Sequence, residues 1–143
     1  MVNAPHIARE RNIAVSETRH ERRGDYQSLI SLTVTTERRS RSVAGTLFAE
    51  SRPRLVRIKD IEIEAELGPH MLYITNRDTP GIIGHIGTTL ARAGVNIATF
   101  HLGRSEQGGD AIALIEIDSE PETGLLDRIT ALPHVLTVVA MKF

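Results

Sequence analysis

Residues 70–104 read HMLYITNRDTPGIIGHIGTTLARAGVNIATFHLGR, and the change of period inside this stretch decides the fold. His70 to Asn76 is a short apolar run around Met71, Leu72, Tyr73 and Ile74, the length of a buried strand. Asp78-Thr79-Pro80-Gly81 then predicts a helix start. Asp78 or Thr79 supplies a capping oxygen, and Pro80 suits the first helical position, where its missing N–H costs nothing. Ile82, Ile83, Ile86, Leu90 and Ala93 recur at helical spacing, and Gly94 fits the left-handed residue that closes a helix. Val95 to Arg104 reads as strand again.

Working outward toward the C-terminus, Gln107-Gly108-Gly109 is a turn and Ala111 to Asp118 its hairpin partner. Pro121 is expected to start a second helix, with Leu125, Leu126, Ile129 and Leu132 facing inward. Val135 to Met141 is the last strand. Residues 69–143 thus have the order βαββαβ, a ferredoxin-like antiparallel sheet with two helices on one face. Ala111, Ala113, Ile115 and Ile117 share one face of their strand, and Ile112 and Leu114 share the other. A sheet covered on one side only should be polar on its second face. The two extra aliphatics therefore imply burial against another domain or another chain.

Toward the N-terminus, NAPHIARERNI (3–13) reads as a short helix. Asn3 is placed to cap it, Pro5 lies in its first turn, and Ile7, Ala8 and Arg11 form a weak stripe. Tyr26 to Thr36 alternates at Ile30, Leu32 and Val34, the pattern of a half-buried strand. A polar turn at Glu37-Arg38-Arg39-Ser40 leads into a second strand, Ser42 to Ala49. Arg54 to Lys59 alternates Leu55 and Arg57 against Val56 and Ile58. Ile61, Ile63 and Ala65 then alternate with Glu62, Glu64 and Glu66. Leu67-Gly68-Pro69 breaks this β-rich meander and divides the chain into 1–68 and 69–143. The expected class is α+β.

Composition closes several functional routes. The chain has 143 residues, 41% of them hydrophobic, so it can bury a core; with 3% aromatics and no Trp, that core must be aliphatic. A net charge of −1 argues against a nucleic-acid binder. The absence of Cys removes disulfides, thiolate catalysis and Cys-based zinc sites. No apolar run reaches membrane-spanning length, so no membrane partner is expected and the cytoplasm is the expected location. No G-x-G-x-x-G follows a predicted strand, no H-E-x-x-H occurs, and no nucleophile elbow is found. No catalytic, metal or cofactor site is therefore expected within this chain. His85 reads as a surface or interface residue, and His101 as a hydrogen-bonded structural one. Asp60, Glu62, Glu64 and Glu66 read as a solvated edge.

The pieces quoted from 71–104, strand, D-T-P-G, amphipathic helix and A-G-V-N-I, closely resemble the first half of an ACT domain. RSVAGTLFAESRPRLVRIKDIEIEAELGPHM (41–71), with S-V-A-G-T-L-F its most telling part, resembles another segment. It is the segment that joins the allosteric-substrate-binding domain to the ACT domain in long D-3-phosphoglycerate dehydrogenases. NAPHIARERNI and GDYQSLISLTV also resemble that first domain. The resemblance implies a partial allosteric-substrate-binding domain over 1–68 and an ACT domain over 69–143, either as a fragment or as a stand-alone remnant. The parent would be an NAD-dependent oxidoreductase of serine biosynthesis whose catalytic domains lie outside this chain.

What the resemblance implies for function is an effector site for an amino acid, usually L-serine, between two ACT domains of a homo-oligomer. Asn76, Asp78 and the loop to Gly81 and Ile82 would form one side, with Asn96 of the adjacent chain on the other. Asn76 stands where the family more usually has His or Tyr. The residue chemistry agrees with this assignment. A carboxylate at Asp78 accepts an ammonium. Free N–H groups near Gly81 and Ile82 receive a carboxylate at a helix N-terminus, and the two Asn amides donate and accept. Gly81 and Gly84 leave room for close approach. Helix capping explains Asp78 equally well, and Asn96 is also an ordinary turn residue. Arg54 matches a position that is basic in some relatives and implies an anion site in the first domain. Two other readings compete: the substrate-binding part of an iron–sulfur L-serine dehydratase, and a dimerisation module without a ligand.

Overall fold

The structure, a computed structural model, describes residues 3–18, 28–49 and 51–143. A short helix α1 (Ala4–Glu10) precedes four strands, β1 (Leu29–Thr35), β2 (Ser40–Phe48), β3 (Arg52–Ile58) and β4 (Ile61–Glu66). These pair in sequence order as one antiparallel sheet. A second four-stranded sheet follows, built from β5 (His70–Arg77), β6 (Ile97–Arg104), β7 (Asp110–Ile117) and β8 (Val135–Lys142). Its spatial order is β6-β7-β5-β8 and every pairing is antiparallel. Helices α2 (Ile82–Arg92) and α3 (Leu125–Thr130) complete the βαββαβ order.

The alternation along β5 and β7 sorts their side chains between two cores. Leu72, Ile74, Ala113, Ile115 and Ile117 face the helices and meet Ile82, Ile86, Leu90, Leu125 and Ile129. Met71, Ile112 and Leu114 face the other way, onto Ile61, Ile63 and Ala65 of β4. The apolar second face is therefore covered by the first sheet of the same chain, and Ile112 and Leu114 give no argument for a partner chain. Fully burying each of the Leu, Ile and Met side chains contributes about 1.5–3 kcal/mol, and the alanines less. Gly103 of β6 allows the close approach: a Cβ there would lie 2.4 Å from the Glu62 carbonyl oxygen and 2.7 Å from Ile61 Cγ2. Tyr73, half-buried at the same seam, has its phenol pushed up by burial, an effect the Arg41 charge opposes.

The first sheet departs from expectation at its outer strand. Its register puts Leu32 beside Val43, Val43 beside Ile58, and Ile58 beside Ile61, so one apolar face runs from β1 to β4. Only the β4 end of that face lies on the second sheet. Ile30, Leu32 and Val34 alternate as expected but are 77%, 59% and 56% exposed, so β1 is not half-buried. Tyr26 and Gln27, the expected start of that strand, lie outside the described residues. Bulges between Ala44 and Gly45 and between Leu55 and Arg57 interrupt the simple alternation, which lets Val56 bury on its own side.

Helix ends also differ. Asn3 precedes α1 without a side-chain capping bond, and no residue of α1 is buried. Neither Asp78 nor Thr79 caps α2. Its N-cap is Gly81, at φ +90°, and Pro80 lies before the helix rather than in its first position. Likewise α3 begins at Leu125 after Gly124 (φ +84°), not at Pro121. The C-terminus of α2 follows expectation. Gly94 is left-handed at φ +70°, its N–H bonds to Ala91 O, and Val95 N–H reaches back to Leu90 O, a Schellman closure. Ile83 turns outward, 49% exposed, while Ile82, Ile86 and Leu90 are buried.

Candidate functional site

The end of β5, the loop into α2 and the β6–β7 hairpin converge at one corner of the second sheet. Asn76 pairs with Ala111, and Ala111 pairs with Arg104, so these residues form a transverse row across β5, β7 and β6. Directly paired residues share a face, and neighbouring strands lie about 4.8 Å apart. Asn76 and Arg104 thus flank the small Ala111 on the helix side, about 10 Å apart at the backbone. Beside this row runs the loop 78–81.

Asn76 is 1% exposed. Its Nδ2 donates to Arg77 O at 2.9 Å, while its Oδ1 is buried without a partner among the described residues. Thr79 Oγ1 is in the same condition. Leaving a buried polar atom unmet costs about 1–3 kcal/mol, so two of them within four residues need an explanation.

Asp78 is neither a helix cap nor a free carboxylate. Its Oδ2 accepts from Arg104 Nη1 at 2.8 Å and from the Gly108 N–H at 3.2 Å, and its own N–H donates to Gly109 O at 2.9 Å. The loop before α2 is thereby latched to the β6–β7 hairpin. The Arg104 guanidinium and the Gly108 N–H hold the Asp78 carboxyl below its usual range, against a smaller opposing effect of burial. Gly108 sits at φ +75°, and a Cβ on Gly109 would come within 2.7 Å of Ser105 Oγ, so the two glycines let the hairpin turn tightly enough to present those backbone groups.

Gly81 is a left-handed turn residue whose carbonyl accepts the His85 N–H at 2.9 Å. Ile82 N–H is drawn to Thr79 O at 3.4 Å, which leaves the next N–H groups of the first turn of α2 as the ones without helical partners. Asn96 is far from this corner within one chain. It precedes β6, and β6 runs parallel to β5 with β7 between them, so roughly 25 Å of strand separates it from the Asp78 end. There its Nδ2 donates to Asp118 Oδ2 at 2.8 Å. Arg54 belongs to neither cluster. Its Nη2 is 2.8 Å from Glu66 Oε1 and its guanidinium stacks 4.6 Å from the Phe48 ring centre, so its charge is already paired.

Among the described residues His101 Nε2 is buried without a partner, which corrects the expected hydrogen bond; His85 is exposed as expected. Glu62, Glu64 and Glu66 point outward from β4. Among the described residues no group of three His, Asp or Glu side chains is placed to hold a metal, and no helix is long and apolar enough to cross a membrane. Behind the same corner, a cavity of about 180 Å³ lies between the Lys59-Asp60 turn and Thr75, with Asp110 and Leu136 in its wall and Asn76 at its border.

Arg104 and Gly108 are the participants that sequence reasoning missed, and Thr79, inside the expected loop, was read only as a possible cap. Arg104 was legible only as a strand terminus; its meeting with Asp78 depends on β6 ending where β5 ends.

Comparison with known proteins identifies the class first. Residues 70–134 match the ACT domain family, and residues 1–59 match the D-3-phosphoglycerate dehydrogenase intervening domain. Across the chain the similarity is to D-3-phosphoglycerate dehydrogenases. The Bacillus subtilis enzyme is 34% identical over 96% of this chain, and the Synechocystis enzyme 34% identical over 99%. That of Methanocaldococcus jannaschii is 29% identical over 99%. The chain spans about a quarter of these relatives, 26%, 26% and 27% of their lengths. It therefore combines segments similar to the intervening and ACT domains of that family. Among solved structures, the ACT domain of a Chlorobium tepidum GTP pyrophosphokinase aligns with half of this chain and 95% of its own. The identity is 21% and the TM-score 0.42.

Proposed function

We propose that this chain is the amino-acid-sensing regulatory part of a D-3-phosphoglycerate dehydrogenase, binds L-serine or a close relative at the Asn76–Ile82 corner, and does no catalysis itself. The observation that carries this reading is the pair of buried, unpartnered polar atoms, Asn76 Oδ1 and Thr79 Oγ1, set beside the latched Asp78. Asn76 Oδ1 is a carbonyl oxygen and can only accept, and one N–H of Nδ2 is given to Arg77 O. The partner it fits is a donor: the ammonium or hydroxyl of a small amino acid. Asp78 adds negative charge next to it through its second carboxylate oxygen.

The adjacent chain enters through an edge. β6 is an edge strand of the second sheet, with β8 at the opposite edge. A second copy adding its own β6 antiparallel would set its Asn96 end beside the first copy's Asp78 end, twice by symmetry. The site is thus completed by a homo-oligomer, and ligand tightens that assembly by linkage. In the whole enzyme, NAD and substrate would sit in domains outside this chain, in the cytoplasm, and the effector would act by differential affinity for two domain arrangements.

Isothermal titration of the chain with L-serine, glycine and other small amino acids tests the reading. Saturable binding of L-serine supports it. No heat with any of them, at concentrations where the chain is folded, favours the ligand-free dimerisation module instead.

A further inference from the structure

We propose that Arg104 reads the effector's carboxylate and so makes the site selective for zwitterionic amino acids over amines and amides. The inference rests on the preceding reading and assigns the half of the ligand that Asn76 and Asp78 leave unmatched. Asn76 Oδ1, the buried unmet atom of β5, is an acceptor, suited to the ammonium end, while Thr79 Oγ1 is a hydroxyl that can donate or accept. A carboxylate needs donors: the Ile82 N–H is drawn to Thr79 O, the next first-turn N–H groups of α2 are neutral, and Arg104 is the charged donor at this corner. Across the row, Arg104 stands on the same face of the sheet as Asn76, with only the methyl group of Ala111 between their strands. Its guanidinium spends Nη1 on Asp78 Oδ2, and its side chain is 56% exposed, so the remaining N–H fork is open to a ligand.

Arginine suits this position for two reasons. The planar fork matches a carboxylate in a two-point contact, which an ammonium cannot. Its ion pair with Asp78 also fixes a positive and a negative group side by side before any ligand arrives, so a bound zwitterion lays its own charges against a preset dipole. An amine or an amide satisfies only one of the two. The Asp78 pair makes Arg104 a member of the site rather than a stray surface charge.

The test compares L-serine with L-serinamide, which keeps the ammonium and hydroxyl and lacks the carboxylate. Calorimetric titrations use the full chain, Arg104→Gln and Arg104→Lys, with circular dichroism confirming that each variant is folded. The parent should prefer L-serine over L-serinamide by about tenfold or more, as expected for a charge-assisted contact. Arg104→Gln should weaken L-serine by about ten- to a hundredfold while changing L-serinamide little, so that the preference collapses. Arg104→Lys, which keeps the charge and loses the fork, should fall between. Loosening of the Asp78 latch would weaken both ligands alike. An unchanged ratio in Arg104→Gln therefore overturns the proposal and leaves Arg104 a positioning residue. A parent that binds both ligands equally overturns it as well. A parent that binds neither overturns the effector reading itself, and this inference with it.

Discussion

Asp78 admits two readings that a sequence cannot separate. Its place before an apolar helix reads equally as a cap or as a ligand, and the structure gives it a third task, latching the loop to Arg104 and Gly108. Asp78→Ser keeps a short oxygen and removes the charge. If Asp78 contacts the ammonium, titration of this variant should show L-serine affinity reduced by about one to two powers of ten. Equal affinity would reduce Asp78 to a structural latch. The latch also has a pH signature. A carboxyl held below its ordinary value stabilises the fold above the unfolded pKa of about 3.9, and that stabilisation disappears as pH falls through the lowered folded value. Thermal melts of the parent and Asp78→Asn should differ by a constant amount from neutral pH down to about 5, and converge below 4. A gap that widens in acid would contradict the assigned direction. Asn76 and Asp78 were legible as candidates because they flank the strand end in a specific family pattern. Arg104 was not, because its partner lies 26 residues earlier and meets it only through the β6-β7-β5 order.

At the scale of elements, period sufficed wherever a side chain's face was set by its own strand or helix. The βαββαβ order, the Schellman closure at Gly94 and the two faces of β7 follow from spacing alone. Helix starts were harder. Pro80 and Pro121 looked like first-turn residues, but left-handed glycines at 81 and 124 delay each helix until after them. The seam between the sheets had a sequence signal, the extra apolar pair Ile112 and Leu114, though not the identity of what covers it. Gly103 now accounts for the close approach of β4. Gly103→Ala should destabilise the chain by about 1–3 kcal/mol in urea unfolding, because the added methyl meets the Glu62 backbone rather than a movable side chain. A neutral result would mean that β4 does not lie on β6 in solution. Leu114→Ala, which hollows the same seam, should cost about 2–5 kcal/mol.

The described residues form two antiparallel sheets joined through one apolar seam, with α2 and α3 on the second sheet and the candidate site at the corner where β5 and β6 end. The outer strand of the first sheet shows where alternation misleads: period reports which residues share a face, and burial depends on whether another layer reaches it. Leu32→Lys should therefore change the unfolding free energy by no more than about 0.5 kcal/mol, since there is little burial to lose. A loss near that of Leu114→Ala would mean that the row is covered in solution. Binding at the corner is the central claim, and amide chemical shifts read it residue by residue. On titration of the labelled chain with L-serine, the account predicts saturable shifts concentrated at Asn76 to Gly84 and at Arg104 to Ala111, with Asn96 joining them only as the oligomer forms. Shifts confined to the first sheet, or none at saturating L-serine, would contradict it.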